Sequence, residues 1–210
     1  MTNFKLVDNV QVYGLGDSVK ASKYPMSIDT SKCTMEITDR VKSLGSSPKG
    51  EGHDQMLTGI VVQFDLTFTL KAWTEMQRYH FVDFVSSQST MHRITSFDVK
   101  SQCNRYVDNR IIDILNNKIN EYNRIKSLPI TDDLNSTVKR NEILSEMYLD
   151  ILYNIPTGLR LTARLTTNYR QLKTIYSQRK NHRLPEWRDF CEWIETLPHF
   201  KEICVGDTNE

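Results

Sequence analysis

The side chains best suited to chemistry are concentrated in one connector, Gln88–Tyr106. A single acid, Asp98, interrupts its run of hydroxyl, amide and cationic side chains, and strongly helical sequence lies on both sides. The cations are His92, Arg93, Lys100 and Arg105. Hydroxyls, backbone N–H groups and guanidinium groups between helices suit a phosphate or another anion. The alternative interpretation is a solvated polar loop, and the segment taken alone favours it.

A second segment, Leu159–Arg179, changes that balance because it combines a strand with a capped helix. Apolar and polar residues alternate over Leu159–Thr167, which is typical of a half-buried strand. Asn168 then occupies the position of a helix N-cap, and the helix runs to Arg179. Eleven residues separate Asn168 from Arg179. They therefore return to the same side of the helix, roughly 16 Å apart along its axis. A groove beside this face would carry a polar group at one end and a guanidinium at the other.

The chain lacks the local patterns that accompany nucleophilic or metal chemistry. Neither Cys103 nor any serine has a local signature of activation, and no HExxH, paired acids or Cys/His cluster occurs. The Gly14–Gly16 turn lacks the third glycine of a dinucleotide fingerprint. What remains is an anion-binding surface with cations on two separate segments, which indicates a nucleotide or phosphate binder.

Strands and helices must position these segments. Alternation predicts strands over Phe4–Tyr13 and Gly59–Phe68. Apolar residues three or four apart predict a helix from about Lys71 to Val85. The buried stripe of this helix would be Trp73, Met76, His80 and Phe84. On that stripe His80 is interpreted as a core histidine, with a ligand role as the alternative.

Further helices are predicted on both sides of the second segment. A short one covers Met35–Leu44, before a loop at Gly45–Gly52, and a long one covers Asp108–Leu128. Asp132 or Asp133 is expected to cap the next helix. The predicted buried residues of these two later helices are Ile111, Leu115, Ile119 and Tyr122, then Ile143, Met147 and Ile151. Pro185 begins a last helix whose buried stripe is Trp187, Phe190, Ile194 and Leu197.

Composition limits the possible partners and location. The 210 residues carry a formal net charge of +1, so a protein that coats nucleic acid is disfavoured. The four cysteines form no CxxC pair, which indicates free thiols in a reducing compartment and no structural zinc. No apolar run approaches the roughly 20 residues that span a bilayer. We expect a single cytoplasmic domain over residues 1–210, with neither nucleic acid nor membrane as a partner.

The connector resembles the signature of flavin-dependent thymidylate synthases, the ThyX family, written RHRxxSxNxxSxRY. His92, Arg93, Ser96 and Ser101 fall in register within MHRITSFDVKS, and Arg105-Tyr106 matches the final Arg-Tyr after a two-residue insertion. Gln88 lies three residues before the signature, where the family also has Gln.

The resemblance continues along the chain in the same order. Asn168, Arg170 and Arg179 match a strand-ending Asn-x-Arg and the arginine eleven residues after that asparagine. Trp187 matches the family's His-x-Gln-Trp region with one extra residue. Gly52-His53 resembles the Gly-His before the family's central strand, and Val7–Gly16 resembles the family's first strand and turn. The similarity covers nearly the whole chain.

This resemblance implies an α+β fold, with a largely antiparallel sheet packed with long helices, in a homotetramer. It implies binding of FAD, dUMP or a related pyrimidine nucleotide, methylene-tetrahydrofolate and NADPH. His92, Arg93 and Asn168 would contact the flavin. The nucleotide would be held by Gln88, Ser101, Arg105 and Arg179, with Arg179 polarising the uracil as the catalytic residue.

Several family positions are changed here. Met91 replaces the first signature arginine, and Gly59 replaces a flavin-contacting histidine. The other departures are Asp98, Val99, Leu152 and Thr174, of which Thr174 aligns with a second flavin-binding asparagine in the late helix and Leu152 with a phosphate-binding arginine. A charge-assisted contact contributes roughly 1.5–3 kcal/mol, so weakened FAD binding is expected. Two classes follow: a synthase, or a catalytically silent relative that acts as a nucleotide-binding or interaction protein. A member of the family with so many changed positions suggests a phage or mobile-element gene.

Overall fold

The computed structural model describes residues 5–129 and 134–206. Its strands form one four-stranded antiparallel sheet in the order β1-β2-β4-β3, so the predicted α+β class is confirmed. The strands are β1 (Val7–Tyr13), β2 (Val61–Thr69), β3 (Asp83–Ser87) and β4 (Arg160–Asn168). Strands β1 and β2 pair with Val7 opposite Leu66 and Tyr13 opposite Val61, with an irregularity between Asp8 and Gln11.

The helices precede, separate and follow these strands along the chain. Those before β4 are α1 (Leu15–Ala21), α2 (Asp39–Ser46), α3 (Leu70–Met76), α4 (Thr90–Arg93), α5 (Val99–Gln102), α6 (Asn109–Ser127) and α7 (Leu134–Tyr153). Helices α8 (Tyr169–Arg179) and α9 (Pro185–Ile194) follow β4. Short 3₁₀ turns lie at Tyr24–Met26, Thr30–Lys32, His53–Gly59 and Ile94–Ser96, and a π-helical turn lies at Lys201–Val205.

Strands β2 and β4 have the burial pattern that their alternation predicts. Every second residue of β2 is buried, and β4 repeats the same pattern over its whole length. Because successive side chains of a strand point to opposite faces, one face of each strand enters the core and the other carries polar groups.

Contacts divide the described chain into two compact units. The second unit contains residues 5–67, Thr74–Ser86 and 163–206. Its core packs the buried face of β2 on α9. Phe64 lies 5.7 Å from Phe190 and 4.7 Å from Trp193 between ring centroids. The predicted stripe of the last helix is confirmed, since Trp187, Phe190, Ile194 and Leu197 are all buried.

The first unit contains Phe68–Trp73 and Ser87–Thr162. Its core lies between α6 and α7, where the rings of Tyr122 and Tyr148 are 5.4 Å apart. Trp73 donates its indole N–H to the carbonyl oxygen of Leu161 at 3.0 Å. This bond joins α3 to the start of β4 within the unit.

The predicted helix over Lys71–Val85 is wrong in its second half. Helix α3 ends at Met76, and residues 83–87 form the edge strand β3. Trp73 and Met76 are buried as expected, but His80 is exposed and Phe84 is 45% exposed, so His80 is not a core histidine. The local spacing suits a helix, whereas pairing at the edge of the sheet is a long-range contact that local spacing does not report.

Smaller corrections concern helix faces and ends. In α6, Leu115, Ile119 and Tyr122 are buried as predicted, but Ile112 is buried in place of Ile111, which is 45% exposed. In α7, Ile151 is buried as predicted and Ile143 is 43% exposed. Helix α2 begins at Asp39 and not at Met35, because Thr38 is its N-cap and accepts the Val41 N–H. The predicted caps Asp132 and Asp133 lie outside the described residues.

No helix among the described residues is long and apolar enough to cross a membrane. Over those same residues, no group of three or more His, Cys, Asp or Glu side chains is placed to hold a metal ion.

We predict that one thiol per chain reacts rapidly in the native protein. Burial raises the pKa of the Cys191 and Cys204 thiols to about 12 and also raises the pKa of Cys103, whereas Cys33 is half-exposed. At pH 8 the three buried thiols are therefore protonated and sterically shielded. An Ellman titration should give one fast thiol, four in denaturant and none fast in Cys33→Ser. Two or more fast thiols in the native protein would contradict this packing.

Candidate functional site

The residues predicted for the site fall into two groups. Gln88, His92, Arg93, Ser101 and Arg105 belong to the first unit, and Asn168 and Arg179 belong to the second. The surroundings of each group are described within its own unit.

Gln88 is tied to the start of β4. Its backbone N–H donates to the carbonyl oxygen of Thr162, and its side-chain oxygen accepts the Thr162 N–H, both at 2.9 Å. The amide NH2 of Gln88 is the part of this side chain that remains for a ligand.

His92 and Arg93 occupy the last turn of α4 and are both exposed. Two side chains from longer helices hold the backbone around them. The Tyr148 hydroxyl donates to the carbonyl oxygen of Met91, and the Asn123 amide donates to that of Thr95, both at 2.9 Å. Neither support has a local signal in the sequence, since each joins residues more than twenty positions apart.

The substituted signature residue Asp98 acts as the N-cap of α5. Its carboxylate accepts the Ser101 N–H at 3.2 Å, while the Ser101 hydroxyl donates to the Asp98 carbonyl oxygen at 3.1 Å. An acid is as well suited to this capping role as an asparagine would be. Ser101 is exposed, with its hydroxyl oxygen able to accept a further bond.

Arg105 and Tyr106 form a local pair on the surface. An Arg105 guanidinium nitrogen donates to the Tyr106 hydroxyl at 2.8 Å, and the guanidinium carbon lies 4.9 Å from the ring centroid. Gly158 packs against this turn, and its carbonyl oxygen accepts the Asn104 N–H at 2.9 Å. A Cβ at residue 158 would lie 2.4 Å from the Val107 side chain. Only glycine permits so close an approach.

In the second unit, Asn168 marks the junction of β4 and α8. It accepts the Gln171 N–H at 2.9 Å through its side-chain oxygen, so the predicted N-cap is confirmed. Its amide NH2 is left for another partner. The Tyr169 N–H donates to the Ile60 carbonyl oxygen at 3.0 Å, which fixes the start of α8 beside β2.

A cavity of about 560 Å³, here called cavity 1, runs along α8 from Asn168 to Ser177. Its wall also includes Arg170, Lys173, Thr174, Phe81 and the loop after α2. Arg179 is not among the lining residues, so the cavity follows the face predicted from Asn168 but does not reach the guanidinium at the other end.

A buried carboxylate orders the cations of cavity 1. Asp54 is 4% exposed. It lies 3.0 Å from the Arg170 Nε and 3.3 Å from the Lys173 Nζ. Lys173 also donates to the carbonyl oxygens of Gly45 and Ser47, at 2.8 and 2.6 Å. Two cations facing one acid leave a local excess of positive charge, which favours an anionic ligand.

Sequence reasoning missed Asp54 and Lys173. The only signal was the i, i+3 spacing of Arg170 and Lys173, which places both on one face of α8. Their acid lies far away in the sequence, and nothing local connects it to them.

Arg179 lies in a network at the end of α8 and is only 14% exposed. Its Nη1 lies 2.9 Å from a carboxylate oxygen of Glu75 and 2.8 Å from the His182 Nε2, and its Nε donates to the Tyr79 hydroxyl at 2.8 Å. The guanidinium also covers the Trp187 ring at 4.7 Å. No hydrogen bond of Nη2 occurs among the described residues.

Helix α8 is anchored a turn earlier by a second network. The Tyr176 hydroxyl donates to Glu195 at 2.5 Å, and this bond raises the pKa of Tyr176 to about 12. Lys201 binds the same carboxylate, and Lys201 and Tyr176 together lower the pKa of Glu195. These contacts hold the C-terminal half of α8, and with it Arg179, in a fixed place.

The glycine at residue 59, which the resemblance aligns with a flavin-contacting histidine, has a packing explanation. A Cβ at residue 59 would lie 2.5 Å from the Ser18 hydroxyl oxygen. In turn, a Cβ at residue 14 would lie 2.5 Å from the Gly59 carbonyl oxygen. The Ser18 hydroxyl on α1 therefore occupies the space that the first side-chain atom at residue 59 would need. Of the other departures, Met91 is 60% exposed and Thr174 lines cavity 1.

Comparison with known proteins supports the fold. No protein-family model matches the sequence, and no curated protein matches it. A crystal structure of the flavin-dependent thymidylate synthase ThyX from Helicobacter pylori, complexed with FAD and dUMP, matches with a TM-score of 0.59 at 14% identity. The match covers 97% of this chain and 99% of that chain.

A second structure of ThyX from Helicobacter pylori, with FAD and dUMP, has a TM-score of 0.62 at 14% identity, over 97% of this chain and 98% of that chain. At this identity the likeness shows the fold alone. The ThyX-like fold predicted from the motifs is confirmed.

We predict that Arg179→Gln lowers the free energy of unfolding by about 2–4 kcal/mol, because it removes a guanidinium from a largely buried carboxylate. Arg183→Gln, an exposed arginine four residues later, is the control and should change it by less than about 0.5 kcal/mol. The test is urea unfolding of Arg179→Gln, of Arg183→Gln, of Glu75→Gln and of the double variant that combines Glu75→Gln with Arg179→Gln. Effects of Glu75→Gln and Arg179→Gln that simply add would contradict a direct pair.

Restoring a side chain at residue 59 should be costly. Gly59→Ala is expected to destabilise the protein by about 1–3 kcal/mol through overpacking against Ser18. Adding Ser18→Gly should recover part of that loss, which calorimetric melting can measure. A Gly59→Ala protein that melts like the wild type would show that α1 does not close this position.

Proposed function

We propose that this chain is a flavin-dependent thymidylate synthase-like enzyme. It binds FAD and a pyrimidine nucleotide such as dUMP, and methylates the nucleotide reductively with methylene-tetrahydrofolate and NADPH. The observation that carries the proposal is cavity 1. It is lined by Asn168 and Thr174 at two positions that the family resemblance assigns to the flavin, and it lies in a fold shared with proteins complexed with FAD and dUMP.

The residues of cavity 1 fit a flavin in charge and size. Arg170 and Lys173 outnumber Asp54, so the negative phosphates of a dinucleotide are compatible with the wall. Phe81 supplies an apolar surface, and the Asn168 NH2 remains as a donor. A volume of about 560 Å³ is within the range of small-molecule sites. When bound, reduced flavin supplies the hydride, so the chain needs no nucleophile of its own.

Arg179 is prepared to donate to a carbonyl oxygen. Its Nε and Nη1 are engaged by Tyr79, Glu75 and His182, which fix the plane of the guanidinium. The two N–H groups of Nη2 are then available at no further orientational cost. Donation to a uracil oxygen would stabilise negative charge that develops on the ring, and the low exposure of the site strengthens that interaction.

The first unit supplies groups for the nucleotide phosphate. Arg105 is exposed and held in place by Tyr106, and Ser101, four residues earlier in the chain, is exposed as well. Guanidinium and hydroxyl groups are standard donors to a phosphate. His92 and Arg93, exposed on α4, are proposed to contact the flavin.

The second candidate function is that of a catalytically silent relative, a nucleotide-binding or interaction protein. Two observations favour it: Gly59 has no side chain to contact a flavin and abuts the Ser18 hydroxyl, and Met91 presents a thioether where the signature has an arginine. Both changes remove hydrogen-bond donors from the proposed flavin contacts, while all of the proposed nucleotide-binding residues are present. A phage or mobile-element gene, and action in the cytoplasm, remain our predictions for either candidate.

Calorimetric titration with FAD and dUMP, separately and together, tests the enzyme proposal. We expect both to bind, FAD weakly enough to be lost in part on purification, and purified protein loaded with FAD to be yellow. Thr174→Phe fills cavity 1 and should weaken FAD binding at least tenfold, with Arg183→Gln as the control. Asn168 is left intact because its variants would also remove the helix cap.

Each failure has a separate meaning. If dUMP binds and FAD produces no heat or thermal protection at millimolar concentration, the silent nucleotide-binding relative is supported. If neither ligand binds, an interaction protein remains. Equal FAD affinity of Thr174→Phe and the wild type would exclude cavity 1 as the flavin site.

We also propose a homotetramer with active sites completed between chains. Helices α6 and α7 carry exposed apolar residues at helical spacing: Ile111 with Ile114, and Leu149 with Tyr153, which is 87% exposed. Exposed apolar surface of this kind is typical of interfaces. Light scattering should give about four times the 24.5 kDa chain mass at micromolar concentration. A mass near one chain would contradict shared sites.

A further inference from the structure

Strand β3 leaves one edge of the sheet without a neighbour among the described strands, because it is last in the order β1-β2-β4-β3. All five of its residues are exposed, and the central one, Val85, is 61% exposed. The strand is held in place at its start, since the Thr167 hydroxyl of β4 donates to the carbonyl oxygen of Phe81 at 2.7 Å. An ordered edge strand presents a row of N–H and C=O groups to which another strand can bind.

The opposite edge of the sheet, strand β1, carries two features that prevent such pairing. Its ladder with β2 is irregular between Asp8 and Gln11, and Asn9 within that interval has a positive φ of 49°. Lys5, just before the strand, forms an ion pair with Asp8. Irregular pairing and charged side chains, above all lysine, are the usual means by which natural proteins block an exposed edge.

Strand β3 has neither of these features. Its sequence, DFVSS, contains no lysine, arginine or proline, and its one charge is Asp83 at the first position. Phe84 is 45% exposed, and Phe81, two residues before the strand, is 66% exposed. An unblocked edge with exposed apolar side chains is typical of a strand that pairs with another chain.

The sequence of β3 suits pairing with itself. A two-fold axis through Val85 would set two copies of the strand antiparallel, with Val85 opposite Val85 and Asp83 opposite Ser87 of the second copy. The two Asp83 carboxylates would then lie four residues apart along the strands, which is roughly 13 Å. A β-branched pair at the centre without opposed like charges is a favourable cross-strand arrangement. The edge is therefore complementary to a second copy of this chain.

We propose that β3 is a contact between two copies of this chain, which pair antiparallel around a two-fold axis at Val85 and join their sheets into one continuous sheet. The pairing does not depend on flavin or nucleotide binding. It uses residues other than the exposed apolar residues of α6 and α7. A tetramer with dihedral symmetry needs two different two-fold contacts of this kind.

Disulfide cross-linking in a Cys33→Ser background is the first test. Directly opposed residues of an antiparallel pair have Cα atoms roughly 4.5–5.5 Å apart, which a disulfide can bridge. Val85→Cys should therefore join two chains under mild oxidation and give twice the 24.5 kDa chain mass on a non-reducing gel. Ser86→Cys is the matched control. Its Cα would lie roughly 8 Å from that of the same residue in the second copy, so it should cross-link at least tenfold more slowly.

Charge complementation is the second test. Val85→Lys and Val85→Glu each place two like charges opposite one another, so each should weaken association at least tenfold in analytical ultracentrifugation. A mixture of the two variants places opposite charges across the contact and should restore association, which a loss of folding could not do. Thermal melting checks that each variant is folded, and the cross-linking test stands if a charged variant fails to fold.

The outcomes separate this pairing from the proposed tetramer and from the proposed function. A wild-type dimer that Val85→Lys dissociates would support the pairing and contradict the tetramer. Equal cross-linking of Val85→Cys and Ser86→Cys would overturn the pairing, as would unchanged association of both charged variants, and the edge would then be left to a strand of another protein. A failure of FAD or dUMP to bind would contradict the proposed function and leave these results as they stand.

Discussion

The hydrogen bond from the Gln171 N–H to the side chain of Asn168 determines where β4 ends and where α8 begins. Strand β4 is fixed in the sheet by alternating burial, and the cap converts its last residue into the origin of a helix. The start of α8 then determines which way each of its side chains points. Arg170, Lys173 and Thr174 line cavity 1, and Arg179 lies beside Glu75 near the end of the same helix.

Cations placed on a buried helix face need acids, and the two acids come from distant parts of the chain. Asp54 orders Arg170 and Lys173, while Glu75 orders Arg179. Removing one member of such a pair leaves the other charge in a poor environment, so these acids act on the site by holding its donors in place. Helix α4, in contrast, presents His92 and Arg93 to solvent without partners of this kind, which leaves their geometry open to a ligand.

Local signals predicted much of this arrangement. The alternation of β4, the Asn168 cap and the Pro185 start of α9 were correct because each depends on residues within a few positions. Strand β3 was missed because its pairing is at the sheet edge, and the spacing of Met76, His80 and Phe84 imitates a helix. Glu75 and Asp54 could not be assigned from sequence, since their partners lie about a hundred residues away. The closure of Gly59 by Ser18 is likewise visible only in three dimensions.

The fold and the chemistry depend on different features of the molecule. The ThyX-like fold follows from the structural comparison, while the chemistry depends on whether cavity 1 accepts a flavin without a histidine at Gly59 or an arginine at Met91. The most direct test is a crystal structure of the protein soaked with FAD and dUMP. The account predicts flavin density in cavity 1 against Asn168 and Thr174. Flavin bound at another place, or no flavin at millimolar concentration while cavity 1 stays open, would contradict it.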